Sequence, residues 1–144
     1  MTYTGKCSCG AVTVTIAGEP AAVRQCWCRQ CQQLAGGGAT NNAMFHTAEV
    51  TIAGPLVSAQ WLAGSGNTLT HWRCEHCGNP VYAQSSARPQ FMTLRLGILE
   101  PGHGLAPQAV IWTDDAPAWA TIDPALPAFA RQPPPPTTSP DAKA

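Results

Sequence analysis

The sequence predicts a mainly β fold of packed antiparallel sheets that bound metal holds together. Two observations predict this class. Short segments place an apolar residue at every second position and are closed by glycine or proline, and cysteine clusters stand at the ends of such segments. No long segment of the 144 residues shows helical spacing. Strands this short and this regularly interrupted favour antiparallel sheets packed on one another.

The first predicted strand follows a pair of cysteines, Cys7 and Cys9. Apolar Val12, Val14 and Ile16 alternate with threonines there, and a period of two predicts a strand with one buried face. The glycine that follows the second cysteine suits a tight turn, because glycine tolerates positive φ angles. We therefore expect a cysteine-bearing turn that leads directly into a strand.

A second short strand is predicted at Ala22 to Cys26, and it leads to three cysteines within six residues. One turn of helix could follow at Gln32 to Leu34. The run Gly36 to Gly38 ends it and leaves a backbone without side chains, which lets a ligand approach closely. A flexible connector is the alternative interpretation of this run.

The same alternation predicts the remaining strands. They are expected at residues 43–46, 50–52, 58–63, 68–74, 80–85, 91–99 and 109–112, and a weak helical turn is expected near 125–130. From residue 132 the sequence is rich in proline and has nothing to bury. We therefore predict one zinc-binding domain over residues 1–131 and a disordered tail over residues 132–144.

Composition excludes several kinds of partner. Charged residues make up 11% of the chain and the formal net charge is zero, so no basic field exists to bind nucleic acid or an anionic membrane surface. No run approaches the roughly 18 apolar residues of a membrane-spanning helix. The N-terminal residues also lack the basic and apolar regions of a signal peptide. We expect a cytoplasmic protein without nucleic-acid or membrane partners.

Seven cysteines carry the strongest functional signal. An odd number of clustered cysteines in a reducing compartment is more typical of metal sites than of disulfides. Two pairs would make a closed four-sulfur site, and a remaining triplet would hold a metal with one open position. The spacing also allows either pair to be shared with the triplet. The three clusters are Cys7 with Cys9, Cys26 with Cys28 and Cys31, and Cys74 with Cys77.

The triplet has the spacing C-x-C-x-x-C, which cannot comfortably form disulfides but can direct three sulfurs to one point. Thiolates are soft ligands that favour zinc, and three protein ligands leave a fourth position for water or substrate. Three thiolates make the site anionic, which favours a soft thiol substrate over activation of water. We therefore predict two zinc ions, one structural and one catalytic in type.

Other side chains could contribute to such a site. A histidine could supply a fourth ligand, although His76, which lies between Cys74 and Cys77, is expected to face solvent. Arginines could pair with a substrate carboxylate or could be ordinary solvated charges. Tryptophans are most simply core residues or pocket walls. The candidates are His46, His71, His76 and His103; Arg24, Arg29, Arg73 and Arg95; and Trp27, Trp72, Trp112 and Trp119.

Taken together, these motifs resemble the glutathione-dependent formaldehyde-activating enzyme family, also called the GFA or centromere protein V domain. The resemblance covers about residues 3–130. The segments that carry it are GKCSCG at 5–10, CWCRQC with a following glycine at 26–38, CEHCGNPVY at 74–82, LRLGIL at 94–99, VIW at 110–112, APAW at 116–119 and LPAF at 126–129.

The resemblance implies a fold similar to the Mss4-like β-tent. It also implies carbon–sulfur lyase chemistry, of which the type reaction joins formaldehyde and glutathione to give S-hydroxymethylglutathione. Three features depart from the family pattern. Trp27 stands where a histidine is common, Arg29 where a small polar residue is common, and the run Gly36 to Gly38 where a single glycine with a small polar neighbour is more usual. These departures change the pocket mouth and leave the ligands intact. The implied structural zinc would lie on Cys7, Cys9, Cys74 and Cys77, and the implied catalytic-type zinc on Cys26, Cys28 and Cys31.

Three functional hypotheses follow. The first is a zinc-dependent lyase that acts on a thiol adduct, with glutathione as a candidate partner. The second is a non-catalytic, zinc-stabilised binding module for a small thiol or a protein. The third, a redox or metal-storage thiol protein, ranks last because the sequence offers no separate resolving cysteine. A fourth protein ligand at the triplet would favour the binding module.

Overall fold

The computed structural model describes residues 2–63, 66–134 and 136, and over these residues the chain is mainly β. The mainly β prediction is therefore confirmed. The chain forms two units: one is built from the residues up to Pro20 and from Met44 to Gly104, and the other from Ala21 to Ala43 and from Leu105 onward. In the described part of the chain, no helix combines the length and the apolarity needed to cross a membrane.

The first unit contains a three-stranded antiparallel sheet of order β1-β2-β5. Val14 and Ile16 of β2 are buried and alternate with exposed threonines, as a one-sided strand requires. Tyr3 of β1 packs its ring on Phe45 at 5.8 Å between centroids, which contributes to the core of this unit. The strands are β1 (Thr2–Lys6), β2 (Thr13–Ala17) and β5 (Val50–Ala53).

The other strands of the first unit follow the order β4-β9-β8-β7-β6, where β4 contributes its last residues. The pairs from β6 to β9 are antiparallel, and the register shifts between Trp72 and Arg73. Short 3-10 turns cover Thr47–Glu49 and Leu96–Ile98. The strands are β4 (Thr40–His46), β6 (Leu56–Leu62), β7 (Thr68–Cys74), β8 (Pro80–Ser85) and β9 (Phe91–Arg95).

The second unit is organised around β3, which leads into a short helix, α1. Its strand order is β11-β10-β3-β4, and β10 is parallel to both β3 and β11. Val23 and Val110 are buried in these central strands. The elements are β3 (Ala22–Cys26), α1 (Arg29–Leu34), β10 (Ala109–Ile111), a 3-10 turn (Thr113–Asp115) and β11 (Ala128–Phe129).

Four local predictions differ from the structure. The strand predicted over 91–99 ends at Arg95 and becomes a 3-10 turn, and the helical turn predicted near 125–130 is instead the strand β11. Strand β1 was not expected, because its sequence TYTGK lacks an apolar alternation. The pairings of β10 are parallel, although antiparallel sheets were predicted.

The predicted boundary between a domain and a tail lies near the end of the described chain. Residue 135 and residues 137–144 are outside the described residues, so the disordered tail stays a prediction. The single domain predicted over residues 1–131 also stays a prediction. Within the described residues, the segment after β11 contacts β3, where the Arg24 side chain donates a hydrogen bond of 3.5 Å to the carbonyl oxygen of Pro134.

Candidate metal centres

The first cluster brings together the two cysteine pairs that are far apart in sequence. The Sγ atoms of Cys7 and Cys9 are 3.5 Å apart, and those of Cys9 and Cys74 are 3.7 Å apart. All four Sγ atoms, including that of Cys77, lie within 4.8 Å of one another. Four convergent sulfurs are the donor set of a closed tetrahedral zinc site. This cluster could therefore hold a metal ion.

Each pair sits in a tight turn next to a strand end. Gly10 and Gly78 follow the second cysteine of their pair and have φ angles of 79° and 77°, which a residue with a Cβ rarely adopts. Their backbone N–H groups donate to the carbonyl oxygens of Cys7 and Cys74 at 3.0 and 2.9 Å. The two turns are joined by Asn79, whose Oδ1 accepts a 2.6 Å hydrogen bond from the backbone N–H of Ser8.

Backbone N–H groups around this cluster favour thiolates. The N–H of Val12 donates to Sγ of Cys7 at 3.3 Å and lowers the pKa of that thiol. The backbone N–H of Asn79 is the main cause that lowers the pKa of Cys77 to about 5. The backbone N–H of Ala11 lowers the pKa of Cys9, but proximity to Cys7, burial and the other two cysteines outweigh that effect and raise it to about 11. Metal binding requires deprotonated thiols, and the backbone already favours that form at Cys7 and Cys77.

The second cluster contains Cys26, Cys28 and Cys31, whose Sγ atoms also lie within 4.8 Å of one another. Cys26 is the last residue of β3, Cys28 is the N-cap of α1, and Cys31 lies in the first turn of that helix. The Sγ of Cys28 accepts a hydrogen bond of 3.4 Å from the backbone N–H of Cys31. Among the described residues, no histidine, aspartate, glutamate or further cysteine joins this group, so three donors converge.

Burial within this second cluster is uneven. Cys26 and Cys31 are buried, at 7% and 8% exposed, whereas Cys28 is partly exposed. Solvent within this unit therefore reaches the cluster from the Cys28 side. The buried Ile111 packs with the two buried cysteines, and the partly buried Trp112 packs against them.

The pKa values of Cys26 and Cys28 are both raised. Proximity to Cys28 and then Cys31, together with burial, strongly raises the pKa of Cys26. The pKa of Cys28 is also raised: Cys26 lowers it, but Cys31 and burial outweigh that effect. Three thiolates can coexist here when a cation balances their charge, so this donor set fits a soft metal ion such as zinc.

The backbone that carries the triplet is fixed from two sides. The N–H of Trp27 donates to the carbonyl of Ile111 at 3.1 Å, which extends the parallel pairing of β3 with β10. The buried side-chain amide of Gln32 donates to the carbonyls of Trp27 and Asp115 at 2.7 and 2.8 Å. The N–H of Gly37 donates to the carbonyl of Gln32 at 2.7 Å and closes the loop after α1.

The sequence did not single out Gln32 or Asn79, although both organise a cluster. A signal existed for Asn79, because asparagine after C-x-x-C-G is a typical turn residue. No local signal identifies Gln32, because its distant acceptor, the carbonyl of Asp115, becomes a neighbour through the parallel pairing.

The other candidate residues occupy varied positions. Among the described residues, no histidine belongs to either of the two cysteine clusters. His46 lies against Phe91 at 4.9 Å between ring centroids. His76, between Cys74 and Cys77, is exposed, as predicted. Nδ1 of His71 is 3.1 Å from the guanidinium of Arg95.

The remaining candidate arginines and tryptophans differ in how far their side chains are exposed to solvent. Arg29 on α1 is exposed, and so is Arg73. Trp27 is buried and meets Trp119 edge-on at 6.2 Å, but Trp119 itself is 69% exposed and is not a core residue. Trp72 stacks on Tyr82 at 4.5 Å.

Two comparisons with known proteins find relatives. Residues 2–115 match the family model described as glutathione-dependent formaldehyde-activating enzyme. Among solved structures, the chain is similar to a protein from Rhodobacter sphaeroides, with 21% sequence identity and a TM-score of 0.55. That similarity covers 88% of this chain and 98% of the other chain, and at this identity it shows a shared fold. No curated protein matches the chain.

Proposed function

Because the chain belongs to the glutathione-dependent formaldehyde-activating enzyme family, we propose that it is a zinc-dependent carbon–sulfur lyase. Its substrate would be a thiol adduct such as S-hydroxymethylglutathione. The observation that carries this proposal is the three-sulfur cluster, where Cys28 is partly exposed and no fourth His, Cys, Asp or Glu ligand is present among the described residues. Catalytic zinc sites characteristically keep such an open position.

The two clusters would have different roles. The four sulfurs of the first cluster join strand ends that are distant in sequence, which supports a structural zinc on Cys7, Cys9, Cys74 and Cys77. The three sulfurs of the second cluster support a catalytic-type zinc on Cys26, Cys28 and Cys31. A zinc ion in the second site would supply Lewis acidity and an affinity for soft sulfur ligands.

The reaction needs no oxidant or reductant. In the forward direction the thiol sulfur bonds to the carbonyl carbon of the aldehyde, and the thiol proton ends on the former carbonyl oxygen. In the reverse direction the carbon–sulfur bond breaks and the carbonyl forms again. Within the second unit, the chain's contribution is to fix the three sulfurs through α1 and β3 and to limit water through Ile111 and Trp112.

Zinc stoichiometry tests this assignment. Freshly reduced protein should contain two zinc ions per chain by elemental analysis, and Cys28→Ser should contain one. In calorimetry, glutathione should bind the unsubstituted protein and should not bind Cys28→Ser. Cys77→Ser is the matched control, because it removes one thiol from the other cluster and should retain the glutathione response if it folds.

A lyase assay completes the test. Formation of S-hydroxymethylglutathione from formaldehyde and glutathione should be accelerated by the zinc-loaded protein and should return to the uncatalysed rate in Cys28→Ser. One zinc ion in both proteins would contradict the proposal. Two zinc ions with glutathione binding but no acceleration would favour the non-catalytic binding module.

A further inference from the structure

Trp112 has an unusual backbone conformation. Within the described residues it is the one non-glycine residue with a positive φ, at φ 59° and ψ 39°. The left-handed region is sterically unfavourable for a residue with a Cβ and is rarely adopted by bulky side chains. Such strain persists where surrounding contacts enforce it, and it is concentrated at functional sites.

Several hydrogen bonds enforce this conformation. The indole Nε1 of Trp112 donates to Oε1 of Gln132 at 3.1 Å, and its backbone N–H donates to the carbonyl of Arg131 at 3.4 Å. Its carbonyl accepts from the backbone N–H of Asp115 at 3.1 Å, which begins the 3-10 turn after β10. The backbone of Trp112 is therefore bonded on both sides, and its indole is bonded to the side chain of Gln132.

Trp112 packs against the three-sulfur cluster. Cys26, Cys31 and Ile111 form the buried part of this cluster, and the partly exposed Cys28 and Trp112 pack against it. Within this cluster, Cys28 and Trp112 are the members that are partly exposed. A molecule entering beside Cys28 would therefore lie next to the apolar side chains of Trp112 and Ile111, with the exposed Arg29 following Cys28 on α1.

We propose that Trp112 determines specificity, because its indole contacts the carbon substituent attached to the substrate sulfur. The favoured substrates are then adducts of aldehydes that carry an apolar aliphatic or aromatic group, rather than the adduct of formaldehyde, which carries only hydrogen there. This inference rests on the proposed function and names the substrate class of the same site. Contact between the indole and an apolar group removes apolar surface from water, and an aromatic substituent would add a ring–ring interaction to that gain.

Stable thioethers of glutathione test the inference without turnover. S-methylglutathione and S-hexylglutathione share the whole peptide and differ only in the group on sulfur. Calorimetry with the zinc-loaded full chain should show about tenfold tighter binding of the hexyl compound, which is the gain expected when roughly two of its additional methylenes are buried against the indole. In Trp112→Gly that preference should fall to about threefold or less, and in Trp112→Phe it should persist, because an aromatic ring remains.

The controls separate this inference from the function on which it rests. Zinc content and melting temperature are measured for each variant, to show that it is folded and loaded with metal. Glycine is the small replacement used, because it adopts the left-handed backbone conformation without a Cβ clash. Equal preference in the parent protein and Trp112→Gly would overturn the inference and leave the proposed function intact. If the parent protein binds neither thioether nor glutathione, both fail. A tighter complex with the methyl compound would also overturn the inference.

Discussion

The side-chain amide of Gln32 donates a hydrogen bond to the carbonyl of Trp27 at 2.7 Å and so ties α1 to the loop between Cys26 and Cys28. The same nitrogen also donates to the carbonyl of Asp115, which follows β10. Gln32 is 8% exposed, so both acceptors would lose a buried partner if the amide were removed. One side chain therefore holds together the segments that surround the three-sulfur cluster.

We expect Gln32→Glu to destabilise the protein by about 2 kcal/mol or more, because a buried carboxylate cannot donate and repels both carbonyls. Chemical denaturation measures the loss. The control is Gln33→Glu, which adds the same charge at the next position of α1, where the side chain is exposed. Equal losses in the two variants would mean that the two hydrogen bonds of Gln32 contribute nothing specific.

Replacing a cysteine should affect stability very differently in the two clusters. Cys74 is fully buried among four sulfurs, so Cys74→Ser should lower the Tm by roughly 10 °C or more, because structural zinc binding is coupled to folding. Cys28 is partly exposed in a three-sulfur cluster, so Cys28→Ser should lower the Tm by about 3 °C or less and remove most of the activity. Scanning calorimetry of the zinc-loaded proteins measures both. Similar shifts would refute the assignment of one structural and one catalytic site.

The left-handed conformation of Trp112 predicts an unusual order of stability for two small replacements. Both Trp112→Gly and Trp112→Ala remove the indole and its hydrogen bond to Gln132, so that loss is common to the two variants. At φ 59° the alanine Cβ is disfavoured, so the glycine variant should be more stable by about 1 kcal/mol. Urea denaturation of the pair gives the difference. If alanine proved the more stable, the backbone would have to leave the left-handed region.

Gly5 on β1 is a position where the backbone approaches another segment closely. A Cβ at Gly5 would overlap the carbonyl of Ile98, and backbone atoms cannot yield as a flexible side chain can. We expect Gly5→Ala to cost about 3 kcal/mol of folding free energy. Gly97→Ala is the control, since a Cβ there meets nothing within 4 Å and its φ is not positive, and it should change stability little. A neutral Gly5→Ala would show that β1 can move away from this segment.

The sequence predicted the class of fold because burial has a local signature. Alternating Val14 and Ile16 identify β2, and the bounds Ala22–Cys26 of β3 agree with the prediction. The pairing of strands has no such signature. The residues around Ile111 do not indicate that their strand pairs in parallel with β3 and places Ile111 opposite Cys26. That pairing depends on the packing of the whole second unit.

The same limit applies to the candidate metal centres. Cysteine spacing is local, so the clusters could be proposed from the sequence and the structure brings their sulfurs together. The left-handed turn at Trp112 has no local signal, since glycine or asparagine is the usual residue in that conformation. Contacts that enforce a disfavoured conformation come from segments distant in sequence, such as Gln132, and these appear only in the folded chain.

The parallel pairing of β3 with β10 has a consequence for biosynthesis. During translation Cys26, Cys28 and Cys31 are made well before Ile111, which lies opposite Cys26. Long-range pairing of this kind is slow, and domains assemble once their last segment has emerged. The nascent chain therefore carries three uncovered thiols until β10 has been made and has paired with β3, and uncovered thiols are open to oxidation during that interval.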